Sequence, residues 1–179
     1  MILEKSITPK CYLSVELRTR TAETVSIYFE KANTPAIRAV LPQKAKTLEE
    51  ALADFAQTRL PGAASYGRTI YADGKYIGDI WCYCIDKNEE PGAMVSYCIF
   101  EPDYYGKGIA MEALRLFIAE IVPKFDLKSL GAFTFASNIA SIRVLKKNSF
   151  TKREEFEEDG ILSCYLQVEC TEGNKGVIK

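Results

Sequence analysis

The amino-acid sequence predicts a mixed α/β fold in which one central sheet carries helices on both faces. An apolar strand over 93–100 runs through a glycine-containing loop into an amphipathic helix over 110–121. Two Asp-Gly pairs, at 73–74 and 159–160, each separate two strand-like segments, which is a strong hairpin signal. The elements follow the order strand, two or three helices, three strands, helix, strand, helix and two strands. That order lacks the regular alternation of a doubly wound nucleotide-binding fold.

The first third of the chain is predicted to contain one strand and up to three helices. Apolar and polar residues alternate over 11–20, as in a half-buried strand. A threonine N-cap precedes a helix over 22–32, and a Thr-Pro pair begins a short second helix that Pro42 ends. A capping box at 47–50 begins a third helix with an apolar stripe.

The remaining elements follow from apolar runs bounded by turn residues. They are strands over 65–72, 75–85, 129–135, 150–157 and 161–169, and a helix from 138 to 147. Pro123 is expected to end the central helix, because proline has no amide hydrogen. One domain fits the whole of 1–179, with 171–179 expected to form a frayed tail.

Composition disfavours several classes of function. The 23 Lys and Arg residues balance 24 Asp and Glu residues, so no basic field is available to recruit nucleic acid. Histidine is absent, which removes the commonest general base and metal ligand, and no metal site is predicted. The six cysteines show no C-x-x-C spacing, and neither a signal peptide nor a membrane-length apolar run is visible. The chain is therefore expected to be cytoplasmic, without a membrane partner, and its oligomeric state, monomer or homodimer, is not predicted.

The loop after the central strand has the features of an anion site. Gly106 and Gly108 permit a tight turn and leave the amides of a helix N-terminus uncovered. A pyrophosphate suits these donors, which lie at the positive end of the helix dipole. The alternative is an ordinary strand-to-helix turn that needs glycine. No Walker sequence is present, and Met111 stands where a dinucleotide fingerprint needs a small residue.

Two motifs resemble those of the GNAT N-acetyltransferases. The loop is similar to their [QR]-x-x-G-x-[GA] signature for acetyl-CoA, with Asp103 in the place of the usual Gln or Arg. The segment 138–150, NIASIRVLKKNSF, resembles their N-x-x-S-x-x-V-x-x-x-G-F segment. LRTRT at 17–21 and the Ile-Gly pair at 77–78 further resemble the RimJ/RimL-type branch. The resemblance spans about residues 13–168 and implies a GNAT fold, with a mostly antiparallel, splayed sheet of about seven strands.

This resemblance implies an N-acetyltransferase whose cofactor is acetyl-CoA and whose acceptor is a primary amine of a small molecule or a protein N-terminus. In the family, the central strand separates from its neighbour and exposes backbone groups to the pantetheine arm. The implied cofactor-binding residues are Tyr97, Cys98, Ile99, Phe100, Tyr105, Gly106, Lys107, Gly108, Ile109, Ala110, Asn138, Ser141, Arg143 and Lys146.

Two departures from the family pattern affect the expected chemistry. Leu145 stands where many members have a tyrosine that protonates the thiolate, so Ser141 becomes the candidate donor. Ser141 is also in the first turn of its helix, where serine is common for capping reasons. Ser149 replaces the usual glycine, and Asn148 is expected to supply the left-handed helix end instead.

Asp79 is the second candidate catalytic residue, because it is a carboxylate inside an otherwise apolar strand. It is either the base that deprotonates the amine or half of an ion pair with Arg18 or Arg68. A water chain is the other candidate base. Since neither acid nor base is clear, a non-catalytic acyl-CoA-binding or partner-binding module stays open. A nucleotide-dependent oxidoreductase is disfavoured by Met111 and by the strand order.

Overall fold

A computed structural model describes residues 13–42 and 44–170 and confirms the predicted mixed α/β fold. The strands are β1 (Val15–Thr19), β2 (Tyr66–Ala72), β3 (Lys75–Asp86), β4 (Gly92–Ile99), β5 (Ser129–Phe135), β6 (Thr151–Glu158) and β7 (Ile161–Glu169). The helices are α1 (Ala22–Ala32), α2 (Pro35–Arg38), α3 (Leu48–Thr58), α4 (Ile109–Phe125) and α5 (Ile139–Lys147), with a 3₁₀ turn at Pro102–Tyr104. None of the described helices is long and apolar enough to cross a membrane.

All seven strands form one sheet in the order β1-β2-β3-β4-β5-β7-β6. Neighbouring strands are antiparallel except β4 and β5, which are parallel. The β4–β5 pairing covers only Gly92–Met94 of β4 against Ser129–Gly131 of β5. Beyond Met94 the two central strands separate, and this leaves a wedge-shaped gap in the middle of the sheet.

Helices pack on both faces of the sheet. On one face the apolar side of α4, including Leu114, Phe117 and Ile121, is fully buried against Ile70 and Ile80 of the sheet. On the other face α1 and α2 close a smaller cluster that also contains Cys98 and Phe100. The 3.6-residue periodicity of the predicted helices therefore corresponds to the two buried interfaces.

The local turn and capping signals act as the sequence predicts. Asp73 and Gly74 have φ of 47° and 79°, as a type I′ hairpin requires. The threonine preceding α1 and the threonine preceding α3 each complete a capping box. Both hairpins and both helix starts thus depend on short-range chemistry.

Some predicted boundaries were wrong. Pro123 lies inside α4, which continues to Phe125 because the last turn still packs, with the Phe125 ring edge-on to Tyr66. The first strand begins at Val15, later than the predicted start at residue 11. Residues 11 and 12 of that prediction, and the predicted frayed tail over 171–179, lie outside the described residues.

The end of α5 also differs from the prediction. Ser149 itself takes the left-handed conformation, with φ of 68°, whereas Asn148 remains at −97°. The Asn148 side-chain amide instead donates to the carbonyl oxygens of Met111 and Val144, and so ties α5 to α4. That buried contact explains why the asparagine does not occupy the left-handed position.

Candidate active site

The gap between β4 and β5 opens into a cavity of about 680 Å³. Its walls come from α2, β4, the glycine loop, the start of α4, β5 and α5. The lining residues are Ala36, Ile37, Val40, Leu41, 95–99, Tyr104, Tyr105, Gly106, 108–111, 132–134, Asn138, Ala140, Ser141, 143–145 and Lys147. We refer to this cavity as the central cleft.

Backbone groups of β4 face the central cleft. The Phe100 amide donates to Ile77 O on β3, and the Cys98 carbonyl also points to β3, where it approaches Gly78 closely. Successive residues of a strand direct their N–H and C=O groups to opposite sides. The backbone groups of Tyr97 and Ile99 therefore face the cleft, past the point where pairing with β5 stops.

The glycine loop ends at the N-terminus of α4. Gly106 and Gly108 have φ of 72° and 78°, a conformation that glycine adopts without strain. Gly108 is the N-cap of this 17-residue helix, and no side chain caps it, so its first amides are open to a ligand. A Cβ at position 106 would point into open space. The loop therefore combines uncovered amides with the positive end of a long helix dipole.

A pair of hydroxyl groups lies at the α5 side of the cleft. Asn138 caps α5 and its side-chain oxygen accepts a hydrogen bond from Ser141 N at 3.1 Å. Ser141 Oγ lies 3.0 Å from Tyr97 Oη, which also donates to the Ser141 carbonyl oxygen at 3.3 Å. Burial raises the pKa of Tyr97 to about 12. Both hydroxyl groups thus keep their protons at neutral pH. Leu145, by contrast, is buried in the core.

Asp79 lies on the face of the sheet that carries α1 and α2, and it is fully buried. Its Oδ2 is 2.9 Å from Arg20 Nε, and its Oδ1 accepts a hydrogen bond from Tyr76 Oη at 2.6 Å. The predicted partners were wrong, since Arg18 pairs with Glu16 and Arg68 pairs with Glu120. Burial, only partly offset by Arg20 and Tyr76, raises the pKa of Asp79 to about 6.

A second cavity, of about 670 Å³, adjoins the central cleft. The two share Leu41 and Ser96 in their walls. Aromatic side chains and three charged residues surround the second cavity, which we call the side cavity. Its wall includes Arg20, Tyr28, Phe29, Lys44, Asp54, Phe55, Trp81 and Tyr83. Helix α3 also lines this space, with Ala51 and Phe55 of its apolar stripe among the lining residues.

The structure brings most of the predicted cofactor-binding residues together. Eleven of the fourteen line the central cleft, and the exceptions are Phe100, Lys107 and Lys146. Phe100 packs in the smaller core cluster, the Lys107 ammonium lies 5.4 Å from the Tyr104 ring, and Lys147 lines the cleft in the place of Lys146. The sequence did not indicate that β5 and α2 form walls of the central cleft, because neither element carries a recognisable motif.

Comparison with known proteins agrees with this geometry. The family model for the acetyltransferase (GNAT) domain matches residues 15–151. Among curated proteins, none matches the chain significantly in sequence. Because the family model covers well over half of the chain, the chain belongs to the GNAT acetyltransferase family. It is therefore an acyltransferase that uses acetyl-CoA, and the predicted family and cofactor are confirmed.

Solved structures with the same fold include RimL, RimJ and an aminoglycoside acetyltransferase. RimL, the ribosomal L7/L12 α-N-protein acetyltransferase in complex with coenzyme A, is 18% identical with a TM-score of 0.75, over 90% of this chain and 97% of its own. RimJ of Mycobacterium smegmatis, with CoA-disulfide, is 16% identical with a TM-score of 0.75, over 87% and 81%. AAC(6')-Ib with coenzyme A and kanamycin is 16% identical with a TM-score of 0.73, over 87% and 95%. RimJ and RimL are members of the branch that the motifs indicate.

Proposed function

We propose that this enzyme transfers the acetyl group of acetyl-CoA to a primary amine, of a small molecule or a protein N-terminus, by direct attack of the amine. The observation that supports this proposal is that the two cavities share Leu41 and Ser96 in their walls, next to the gap between β4 and β5. RimL acts on a protein N-terminus, and AAC(6')-Ib binds an aminoglycoside, so the fold accommodates both kinds of acceptor.

The central cleft fits acetyl-CoA. Its β4 wall presents backbone groups that an extended pantetheine arm can pair with, as an added strand does. The amides between Tyr105 and Ala110 suit the pyrophosphate, and Arg143 and Lys147 line the same cleft as cations. Bound there, acetyl-CoA supplies the activated acetyl group. The N–H groups of Tyr97 and Ile99, on either side of Cys98, are donors for a carbonyl oxygen in the gap.

Proton transfer at the α5 side falls to the Tyr97–Ser141 pair. We assign Ser141 as the group that protonates the departing thiolate, since the tyrosine of many family members is replaced here by buried Leu145. Tyr97 Oη, 3.0 Å from Ser141 Oγ, can return a proton to Ser141 Oγ and then recover its own proton from solvent water. Burial also raises the pKa of the Cys98 thiol to about 12, which favours direct attack over an acyl-cysteine.

Asp79 is not placed to take the proton of the amine itself. Its Oδ1 accepts a hydrogen bond from Tyr76 and its Oδ2 forms an ion pair with Arg20, and of these residues only Arg20 lines the side cavity. We therefore propose that a water chain removes that proton and that Asp79 positions Arg20.

Release of free thiol from acetyl-CoA, measured with a panel of amines, tests the proposal. The panel contains small aliphatic and aromatic amines, spermidine, kanamycin and a peptide with a free N-terminus. We expect amine-dependent thiol release with at least one class. Tight acetyl-CoA binding without turnover on any amine would contradict the proposal and favour a non-catalytic acyl-CoA-binding module.

A further inference from the structure

Arg20 is held in an unusual position at the wall of the side cavity. It follows β1, and its side chain is only 18% exposed. Among the residues that the structure describes, Asp79 is its one ion-pair partner, and Asp79 contacts the Nε edge. The guanidinium lies against Gly67, where an added Cβ would come within 3.2 Å of Arg20 Nη1. An arginine offers five N–H donors in a planar fork, so most of these donors are still available to a ligand.

A buried ion pair holds this guanidinium at the cavity wall. Asp79 is itself held by Tyr76 Oη at 2.6 Å, so the three side chains form a chain from the core to the cavity wall. The glycine at 67 leaves room for the guanidinium, whose Cζ is 6.0 Å from the centre of the Phe55 ring. Such preorganisation is typical of a side chain that binds a ligand group of one defined shape.

The charges of the side cavity point to the class of acceptor. Of the three charged side chains in its wall, Arg20 and Lys44 are basic and Asp54 is acidic. A cavity for a polycation needs an excess of carboxylates, which this wall does not have. The large side chains in the rest of the wall are aromatic and include Phe29, Phe55, Trp81 and Tyr83.

We propose that the acceptor is an amine with an aromatic or apolar body that also carries a carboxylate, and that the unused donors of Arg20 bind this carboxylate. The inference rests on the acetyl transfer proposed above and specifies the acceptor of that same site. The aromatic wall receives the body of the acceptor, the planar fork of Arg20 receives the carboxylate, and the amine is left to reach the junction with the central cleft at Ser96.

Matched acceptor pairs test the proposal. L-phenylalanine is compared with 2-phenylethylamine, and 4-(aminomethyl)benzoate with 4-methylbenzylamine, by kcat/KM from thiol release. We expect the carboxylate-bearing member to be preferred in at least one pair. Arg20→Met should lower kcat/KM for that member by roughly ten- to a hundred-fold, mainly through KM, because a charge-assisted contact is lost. For the member of the pair without a carboxylate, kcat/KM should change by less than about three-fold in this variant.

Two further variants separate binding from folding. Arg20→Lys keeps a positive charge beside Asp79 but loses the fork, so it should stay folded and still favour the carboxylate less than the wild type does. Arg59→Met is the matched control, because the Arg59 guanidinium also lies near the Phe55 ring, at 5.8 Å, without lining the cavity. The Arg59→Met variant should have the same kcat/KM as the wild type for both members of each acceptor pair.

The outcomes also distinguish this inference from the proposed function. Equal losses for both members of a pair in Arg20→Met, or no preference for a carboxylate in the wild type, would overturn the role of Arg20. If no amine is acetylated at all, the acetyl transfer fails instead, and calorimetry with 3-phenylpropanoate still decides the binding question. We expect this carboxylate to bind the wild type and Arg59→Met with equal Kd, and Arg20→Met at least roughly ten-fold more weakly. Equal binding to all three proteins would refute the carboxylate site.

Discussion

The hydroxyl pair of Tyr97 and Ser141 joins a strand residue to a helix residue at the centre of the cleft. If Ser141 is the donor to the thiolate, Ser141→Ala should lower kcat by roughly ten- to a thousand-fold and change the Kd of acetyl-CoA much less. Steady-state kinetics and calorimetry measure the two quantities. Ser26→Ala is a suitable control, because the hydrogen bond from Ser26 Oγ to Ala22 O in α1 is exposed and Ser26 does not line the cleft. An unchanged kcat in Ser141→Ala would leave solvent as the donor.

Tyr97 should act through Ser141 and not independently of it. Tyr97→Phe removes the hydroxyl that lies 3.0 Å from Ser141 Oγ and keeps the ring. We expect a loss in kcat smaller than that of Ser141→Ala, and little additional loss when the two changes are combined. Additive losses in the double variant would contradict a shared proton path.

Asp79 should leave a pH signature in stability. Burial raises its pKa from 3.8 to about 6, so the folded state keeps a proton that the unfolded state has lost between these values. Its stabilising contribution is therefore fully present below the lower pKa and is lost as the pH rises through the higher one.

Asp79→Asn removes this titration and keeps the shape. Relative to that variant, the wild-type free energy of unfolding should fall by about 3 kcal/mol between about pH 3.5 and pH 7, from the two-unit shift. Chemical denaturation of both proteins across this range measures the difference. A difference that stays constant, or that grows with pH, would show that the pKa of the buried carboxyl is not raised.

At the scale of elements, α4 combines a core helix with an open N-terminus. Gly108→Ala forces a side chain into a left-handed conformation with φ of 78°, and Gly160→Ala does the same at 75° in the β6–β7 hairpin. Both should lose about 1–2 kcal/mol of stability from strain. Only Gly108→Ala should weaken acetyl-CoA binding, by at least roughly ten-fold, because we propose that the amides of this loop bind the pyrophosphate. Similar affinity of both variants for acetyl-CoA would remove the loop from the cofactor site.

Elements with strong local signals could be predicted closely from the sequence, whereas tertiary contacts could not. The Asp-Gly hairpins and threonine caps depend on neighbouring residues, and the predicted helix over 22–32 matches α1. Helix α4 continues beyond Pro123 because Phe125 packs against Tyr66, and no local sequence pattern predicts that contact. Likewise, the glycine loop and the start of α5 were recognised as motifs, but Arg20 was not identified as the partner of Asp79. The side cavity is assembled from separate elements, so no single stretch of sequence indicates it.

The whole molecule is arranged around the gap between β4 and β5, where we propose that acetyl-CoA binds. Acetyl-CoA at about 100 times its Kd should add about 2.7 kcal/mol to the free energy of unfolding. For a protein of this size that corresponds to a rise in Tm of about 5–10 °C. A thermal-shift series with acetyl-CoA, NAD and ATP at equal concentrations measures it, and Gly160→Ala should show the same rise as the wild type. A larger rise with NAD or ATP would contradict the assignment of the cleft.

The three-residue pairing of β4 with β5 also sets how fast deuterium enters the middle of the sheet. The amides of Tyr97 and Ile99 face the gap, whereas those of Cys98 and Phe100 face β3, so exchange along this strand should alternate between fast and slow residues. A pantetheine arm paired with β4 would slow only the fast set. Residue-resolved exchange, with and without coenzyme A, should therefore reveal a footprint in which every second amide becomes protected.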